Sequence, residues 1–585
     1  MLVTTNPQRT LWELLLPPGY QDLPGQLARV DALLDDPAFF EPYRPHFSML
    51  LGRPSIPIET YLRMMFLKTR YRLGYESLCR EVADSLTWMR FCRIPLGTRV
   101  PHPSTLEKLT KRCGTGVVAE LNEALLGKAQ ENKVVKTDQV RTDTTVVPAD
   151  VKYPTDSGLL VRAITLIVVL VARIHWLGAA SRTKVADHRD TARQRARMIS
   201  AHLKLRNDDA KATVLRITGE LADVTETTMA EAARVLVQAR RYLATHPDRV
   251  TGGLTALAGR LSVTMERAGR VVEQTRTRIG GDQPPSATRL VSMHDPDARP
   301  IAKGRLGKPV EFGYKAQVTD NADGIVLDHS VHVGNPADGP LLVPAIKRIA
   351  QRFGVVPAAV TADRGYGDAQ VETDLADLGV KTVAIPRKGK PSQARRDVER
   401  QPRFHGLLKW RTGSEGRISY LKHRFGWDRT LFDGLDGAQT WCGFGVFAHN
   451  GIKIGSLIAA VTAGQPEPAA VQRQSQRPKP VPRPARRRPT RRPTRPDRTS
   501  HLRQLPLPGQ TDAPGNPPTT GGEPGNVGKG RGSGTEPRVN PGPQPPREID
   551  NHQRSPTTRV FRGEVATRVP GLRPERVALR AAQLR

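Results

Sequence analysis

Apolar residues recur at helical spacing between His46 and about Gly114, with Tyr61, Leu62, Met65 and Phe66 followed by Leu78, Val82 and Leu86. This periodicity predicts short helices, and the intervening Lys and Arg residues give them basic faces. Ser104 and Glu107 form a capping box that opens a further helix through Leu109, carrying Lys108, Lys111 and Arg112. Such a segment suits a helix-turn-helix-like DNA reader, and equally a packing or dimerisation domain whose charges are its solvated face. The pattern then changes. Val140 to Val147 is dense in β-branched residues and predicts a strand with Asp143 in its middle. From about Leu159 to Ile279 the chain reads as Arg- and Ala-rich helix without strand alternation, an insertion.

Beyond a loop bearing Pro300, Lys303, Arg305 and Lys308, the residues Phe312, Tyr314, Ala316 and Val318 alternate. A turn at Asn321 to Gly324 and a second run, Ile325, Leu327, Val331 and Val333, complete a β-hairpin. A helical pattern (Leu341, Leu342, Ile346, Ile349) leads to the apolar strand 358–362, which ends at Asp363 and is broken by Gly365 and Gly367. Helix 368–378, strand 380–385, a basic loop and a helix bearing Glu415 follow. Strand, insert, hairpin, helix, strand, helix, strand, helix is the order of a mixed α/β sheet.

Length and charge narrow the classes. The chain has 585 residues and a formal net charge of +33, a field whose commonest partner is a polyphosphate. Cys79, Cys92, Cys113 and Cys442 are too scattered for a disulfide framework or zinc knuckle, which fits a reduced cytosolic protein. The first residues lack the layout of a signal peptide, so the mature chain is expected to begin there. The most apolar stretch, Ala163 to Ala172, is flanked by Arg162 and Arg173. It is about half of what a bilayer span needs, so it reads as a buried helix and no membrane partner is expected. Between Arg473 and Arg498 eleven basic residues meet one acid and seven prolines, a composition that cannot build a core and predicts a disordered tail. Residues 465–585 carry 24 basic and 9 acidic residues, so the part ahead of the tail is basic in its own right. The expected organisation is an arm (1–42), a helical domain (43–135), an α/β domain (136–464) with its helical insertion (159–280), and the tail (465–585).

Three carboxylates stand out. Asp143 breaks the β-propensity of an otherwise consistent strand, a mark of a functional position. Asp363 ends an apolar strand, where open α/β sheets present ligand-binding groups, whereas Asp368 reads as a helix N-cap. Glu415 falls between Arg411 and Lys422, and at about 100° per residue the three share one helical face. Two cations around a carboxylate suit a plain ion-pair stripe; they also suit a metal ligand with phosphate-gripping neighbours. Phosphodiester chemistry assisted by two divalent ions needs several such carboxylates in one place, and hard oxygen ligands suit Mg²⁺.

At these residues the chain resembles the insertion-sequence DDE transposases of the RNase H-like superfamily. The resemblance rests on Asp-Thr-Thr-Val-Val at 143–147, Thr-Ala-Asp-Arg-Gly-Tyr at 361–366 and Arg-x3-Glu-x6-Lys at 411–422, with Leu408 where the family signature has Tyr. The stretch from Tyr43 to Cys113 is similar to the helical N-terminal domain of many such transposases, and segments 294–300 and 311–315 also look like family segments. Together the resemblance covers about residues 40–460. It implies an RNase H-like mixed five-stranded sheet with a helical insertion after the first strand, preceded by an all-helical domain and followed by the tail. It further implies Asp143, Asp363 and Glu415 as catalytic residues holding two Mg²⁺ ions, with Mn²⁺ able to replace them. The implied reaction is DNA cleavage at transposon ends followed by strand transfer into target DNA. Arg411, Lys422, Arg364, Lys303, Arg305 and Lys308 are the expected DNA contacts. Terminal inverted repeats, target DNA and further copies of the chain are the expected partners, in a cytoplasmic, nucleoid-associated setting. A basic DNA-binding protein without catalysis, and a nuclease that cuts without joining, are the alternatives.

Overall fold

The computed structural model describes residues 1–464, apart from 6–16, 18, 20–21, 49, 206, 247–251 and 304–308. The expected tail, and with it Arg305 and Lys308 of the basic loop, therefore lies outside the described residues.

Six strands form one mixed sheet: β1 (Gln139–Pro148), β2 (Arg299–Ala302), β3 (Val310–Asn321), β4 (Val326–Val333), β5 (Ala359–Ala362) and β6 (Thr382–Ala384). Their order is β2-β3-β1-β5-β6, with β4 also paired to β3. Antiparallel β1 and β3 run together from Val140 opposite Asn321 to Pro148 opposite Gly313, and β5 and β6 add parallel to β1. The expected five strands are the RNase H-like core. The sixth, β2, comes from the segment read as a loop; it pairs only with the start of β3, Arg299 opposite Gly313 to Ala302 opposite Val310. Four residues containing Pro300 carry too little alternation to signal a strand, and this one exists because β3 extends past the end of β4 and offers a free edge.

Ahead of the sheet stand α1 (Gly25–Leu34), α2 (Ile58–Tyr71), α3 (Tyr75–Ala83), α4 (Leu86–Phe91) and α5 (Pro103–Glu131). Helix α5 starts at Pro103, capped by the His102 ring accepting from the Ser104 N–H, two residues earlier than the Ser104–Glu107 box predicts. Proline at the first helical position has no N–H to leave unpaired and a φ already suited to the helix. These helices share one hydrophobic cluster with the sheet and with α15 (Gly434–Thr462). Asn122 of α5 donates to the Gly443 carbonyl at 3.1 Å, inside that shared core.

The insertion is a bundle of α6 (Asp156–Trp176), α7 (Arg189–His202), α8 (Asp208–Thr245) and α9 (Gly252–Ile279), with a hydrophobic core of its own. By length and composition α6 and α15 would each span a bilayer. Leu160, Ile164, Ile167, Val171 and Ile174 of α6 are instead buried against the bundle. After the hairpin come α10 (Gly339–Phe353), α11 (Ala369–Asp377), α12 (Gln393–Glu399), α13 (Pro402–Arg411) and α14 (Gly413–Phe425). Helices α13 and α14 meet at Thr412, so the single helix expected over 411–422 is two, with Arg411 ending one and Glu415 in the first turn of the next.

Candidate active site

The parallel pairing of β1 with β5 ends at Thr142 opposite Ala362. One residue further along each strand stand Asp143 and Asp363, so the sheet register itself brings these two side by side. The Asp363 carboxylate accepts from the Gly365 N–H at 2.8 Å, which fixes it at the turn after β5. Asp143 accepts from the Thr144 N–H at 2.8 Å and from the Ser414 hydroxyl at 3.3 Å, while the Arg411 guanidinium stands 3.7 Å from the same carboxylate. Burial pushes the Asp143 carboxyl up to about 6; the charge of Asp363 adds to the rise, and the Thr144 N–H, Arg411 and Ser414 hold it back.

Glu415 is exposed, one residue beyond the serine that touches Asp143. The structure thus unites Asp143 with Asp363 and sets the first turn of α14 beside them, without gathering the Glu415 carboxylate into the pair. Among the described residues no three His, Cys, Asp or Glu side chains are grouped closely enough to hold a metal ion. The pair itself suits a hard divalent cation: its donors are carboxylate oxygens, and their mutual repulsion in a buried setting is what a cation would relieve.

Sequence reasoning missed Asp338. It lies just ahead of α10, where Asp before Gly-Pro reads as a helix start. Its carboxylate accepts from the Thr144 hydroxyl at 2.9 Å and pairs with Lys315 at 2.7 Å. Gly365 separates it from Asp363, and a Cβ there would crowd both carboxylates at 2.8 Å. Asp338, Asp143 and Asp363 together raise the Tyr366 hydroxyl further above its ordinary value, after burial.

The expected DNA contacts differ among themselves. Lys422 donates to the Val146 carbonyl of β1 at 2.7 Å, and Arg411 faces Asp143. Lys303 is paired with Glu311 at 2.5 Å. The exposed Arg364 caps the backbone carbonyls of Arg387 and Gly389. Asp368 occupies the N-cap position of α11, but its side chain pairs with Lys388 at 2.8 Å rather than with the helix.

Residues 19–112 match the Transposase domain (DUF772) family, and residues 269–450 match the Transposase DDE domain family. Both are transposase families, and the two matches in this order are those of an insertion-sequence DDE transposase. Within this transposase the DDE match takes in Asp363 and Glu415, while Asp143 lies ahead of the helical insertion and outside it. A curated relative from Rhizobium meliloti, "Uncharacterized protein ORF8 in nfe locus", is 28% identical over 138 residues, 23% of this chain and 64% of that protein. The transposase therefore spans under two thirds of the length of that relative. No solved structure matches the chain.

Proposed function

We propose that this transposase cleaves DNA at the ends of a mobile element and joins the freed 3′-hydroxyl to target DNA, with Asp143, Asp363 and Glu415 as its metal-holding carboxylates. The observation that carries the reading is the adjacency of Asp143, midway along β1, and Asp363, just past the end of the parallel strand β5, beside the helix that carries Glu415. When bound, Mg²⁺ supplies activation of the attacking oxygen and stabilisation of the departing one.

The chain's own residues supply the rest. Thr144 N–H and Ser414 hold one carboxylate and Gly365 N–H the other, so neither needs to reorganise on metal binding. Arg411 stands where a scissile phosphate would meet Asp143, and its planar fork suits phosphate oxygens. The net charge of +33 supplies sequence-independent affinity for DNA.

Asp143→Asn is expected to abolish Mg²⁺-dependent nicking of DNA bearing the element's ends, while DNA affinity stays within about threefold, because affinity rests on many phosphate contacts. Nicking and strand transfer are both measured, and joining by the wild-type chain separates transposition from simple cleavage. Nicking retained in a folded Asn variant would refute the assignment.

A further inference from the structure

Two residues before Asp143 on the same face of β1 stands Arg141, and two residues after Glu415 on α14 stands Arg417. Both arginines are held by one carboxylate, Asp320, which lies directly opposite Arg141 on β3. Arg141 grips it with a fork, Nε to Oδ1 at 2.8 Å and Nη2 to Oδ2 at 2.9 Å. Arg417 donates Nε to Oδ2 at 3.0 Å. Asp320 is 1% exposed and Arg141 is buried with it, so this pair sits in a low-dielectric setting, while Arg417 is partly exposed. The third arm of Arg141 reaches the Trp410 carbonyl at 2.8 Å, at the end of α13, with the guanidinium 4.7 Å over the Trp410 ring.

Two glycines make room for this arrangement. A Cβ at Gly413, at the start of α14, would collide with the Arg141 guanidinium, and a Cβ at Gly324, in the β3–β4 turn, would collide with that of Arg417. Gly324 also has a φ of +82°, which suits no larger residue well. Sheet, hairpin turn and both helices thus leave room for the same three charged side chains.

We infer that Asp320 is a positioning residue: through Arg141 and Arg417 it fixes the first turn of α14, and so Glu415, relative to Asp143 on β1. The inference rests on the proposed role of the three carboxylates. An ion triad with its carboxylate fully buried adds little to stability, since the desolvation of its charges offsets most of their attraction. Fixing the geometry between the strand and the helix is what this one achieves. The bridge touches no substrate; it acts by orienting ligands, as outer-shell partners of metal sites do.

The test is the affinity of the full chain for Mn²⁺ alone, by calorimetric titration without DNA, alongside the melting temperature. Removing Asp320 would strand the buried Arg141 guanidinium, so the informative variant is Arg417→Gln, which cuts the helix arm and leaves the Arg141–Asp320 pair neutral. Loss of an orienting partner is expected to weaken Mn²⁺ binding by about 10-fold. Glu415→Gln should do the same, and the two changes together should cost no more than the larger alone. Wild-type Mn²⁺ affinity in a folded Arg417→Gln chain, or losses that multiply in the double variant, would overturn the inference. If the Gln variant does not fold, Arg417→Lys keeps a cation for Asp320 without the rigid fork. Affinity between wild type and Glu415→Gln then supports the bridge, and wild-type affinity refutes it. Asp143→Asn is the control for the underlying reading. Unchanged Mn²⁺ affinity there would bring down the carboxylate assignment and the bridge with it, whereas losses at Asp143 and Glu415 but not at Arg417 would bring down the bridge alone.

Discussion

Arg411 and Lys422 carry the same sign and flank the same glutamate, yet their surroundings give them different work. Lys422 donates to the Val146 carbonyl and so ties α14 to β1, whereas Arg411 sits 3.7 Å from a carboxylate with a planar fork that suits a phosphate. Lys422→Ala is expected to lower the denaturation midpoint by the equivalent of about 1–3 kcal/mol, the cost of stranding a buried carbonyl. Arg411→Ala should cost less, within about 1 kcal/mol, since its 3.7 Å approach to Asp143 is an ion pair without a hydrogen bond, and lower nicking without rescue by added Mg²⁺. Equal midpoints for the two variants would contradict this division. Asp143 is legible in the sequence because an aspartate inside a β-branched run breaks a local rule, and Asp363 because an apolar strand ends on it. Asp338 and Asp320 are not, since their meaning lies in partners far along the chain: Thr144 is 194 residues from Asp338, and Arg141 is 179 from Asp320. No local pattern encodes such pairings.

Among the elements, those with strong periodicity are readable and those created by pairing are not. The hairpin of β3 and β4 follows from alternation plus the Asn321–Gly324 turn, where the Asn321 side chain accepts from the Ile325 N–H at 2.9 Å. β2 depends on an edge that only the folded sheet presents. Helix α15 adds a titratable group to the core: His449 is 3% exposed, edge-on to the rings of Tyr420 and Phe425. It lies 3.0 Å from the Gly324 carbonyl and 3.3 Å from Arg417. Burial, with the charge of Arg417 adding to it, holds the imidazole down at about 3. An unfolded histidine titrates near 6.5, so the unfolded chain binds a proton that the folded one refuses. The stability this provides is complete above about pH 6.5 and is lost as pH falls toward 3. His449→Gln, which retains a donor for Gly324, is expected to flatten the loss between pH 7 and pH 4 by about 3 kcal/mol. Chemical denaturation of both proteins at several pH values measures it, and parallel pH profiles would show that His449 does not titrate on unfolding.

At the scale of the whole molecule, one hydrophobic cluster joins the N-terminal helices, the sheet and α15, and a second holds the inserted bundle together. Among the described residues neither cluster draws its buried members from beyond Leu457. Residues 465–585 carry 24 of the chain's 90 basic residues and 9 of its 57 acidic ones. Truncation after Gly464 therefore removes a net charge of +15 and leaves +18. Proline and arginine interleaved as they are between Arg473 and Arg498 offer charge to phosphates without base-specific geometry. The truncated chain is expected to bind arbitrary duplex DNA more weakly. Its log affinity should also fall less steeply with log salt, because each phosphate left unneutralised takes about 0.9 off the slope as fewer counterions are released. Nicking at saturating DNA should survive, since Asp143, Asp363 and Glu415 and the strands and helix that carry them all precede the cut. Binding titrations from about 50 to 200 mM salt with both chains give the two slopes. An unchanged slope would mean that the tail does not meet the DNA, and loss of nicking in a folded truncation would make it part of the catalytic assembly.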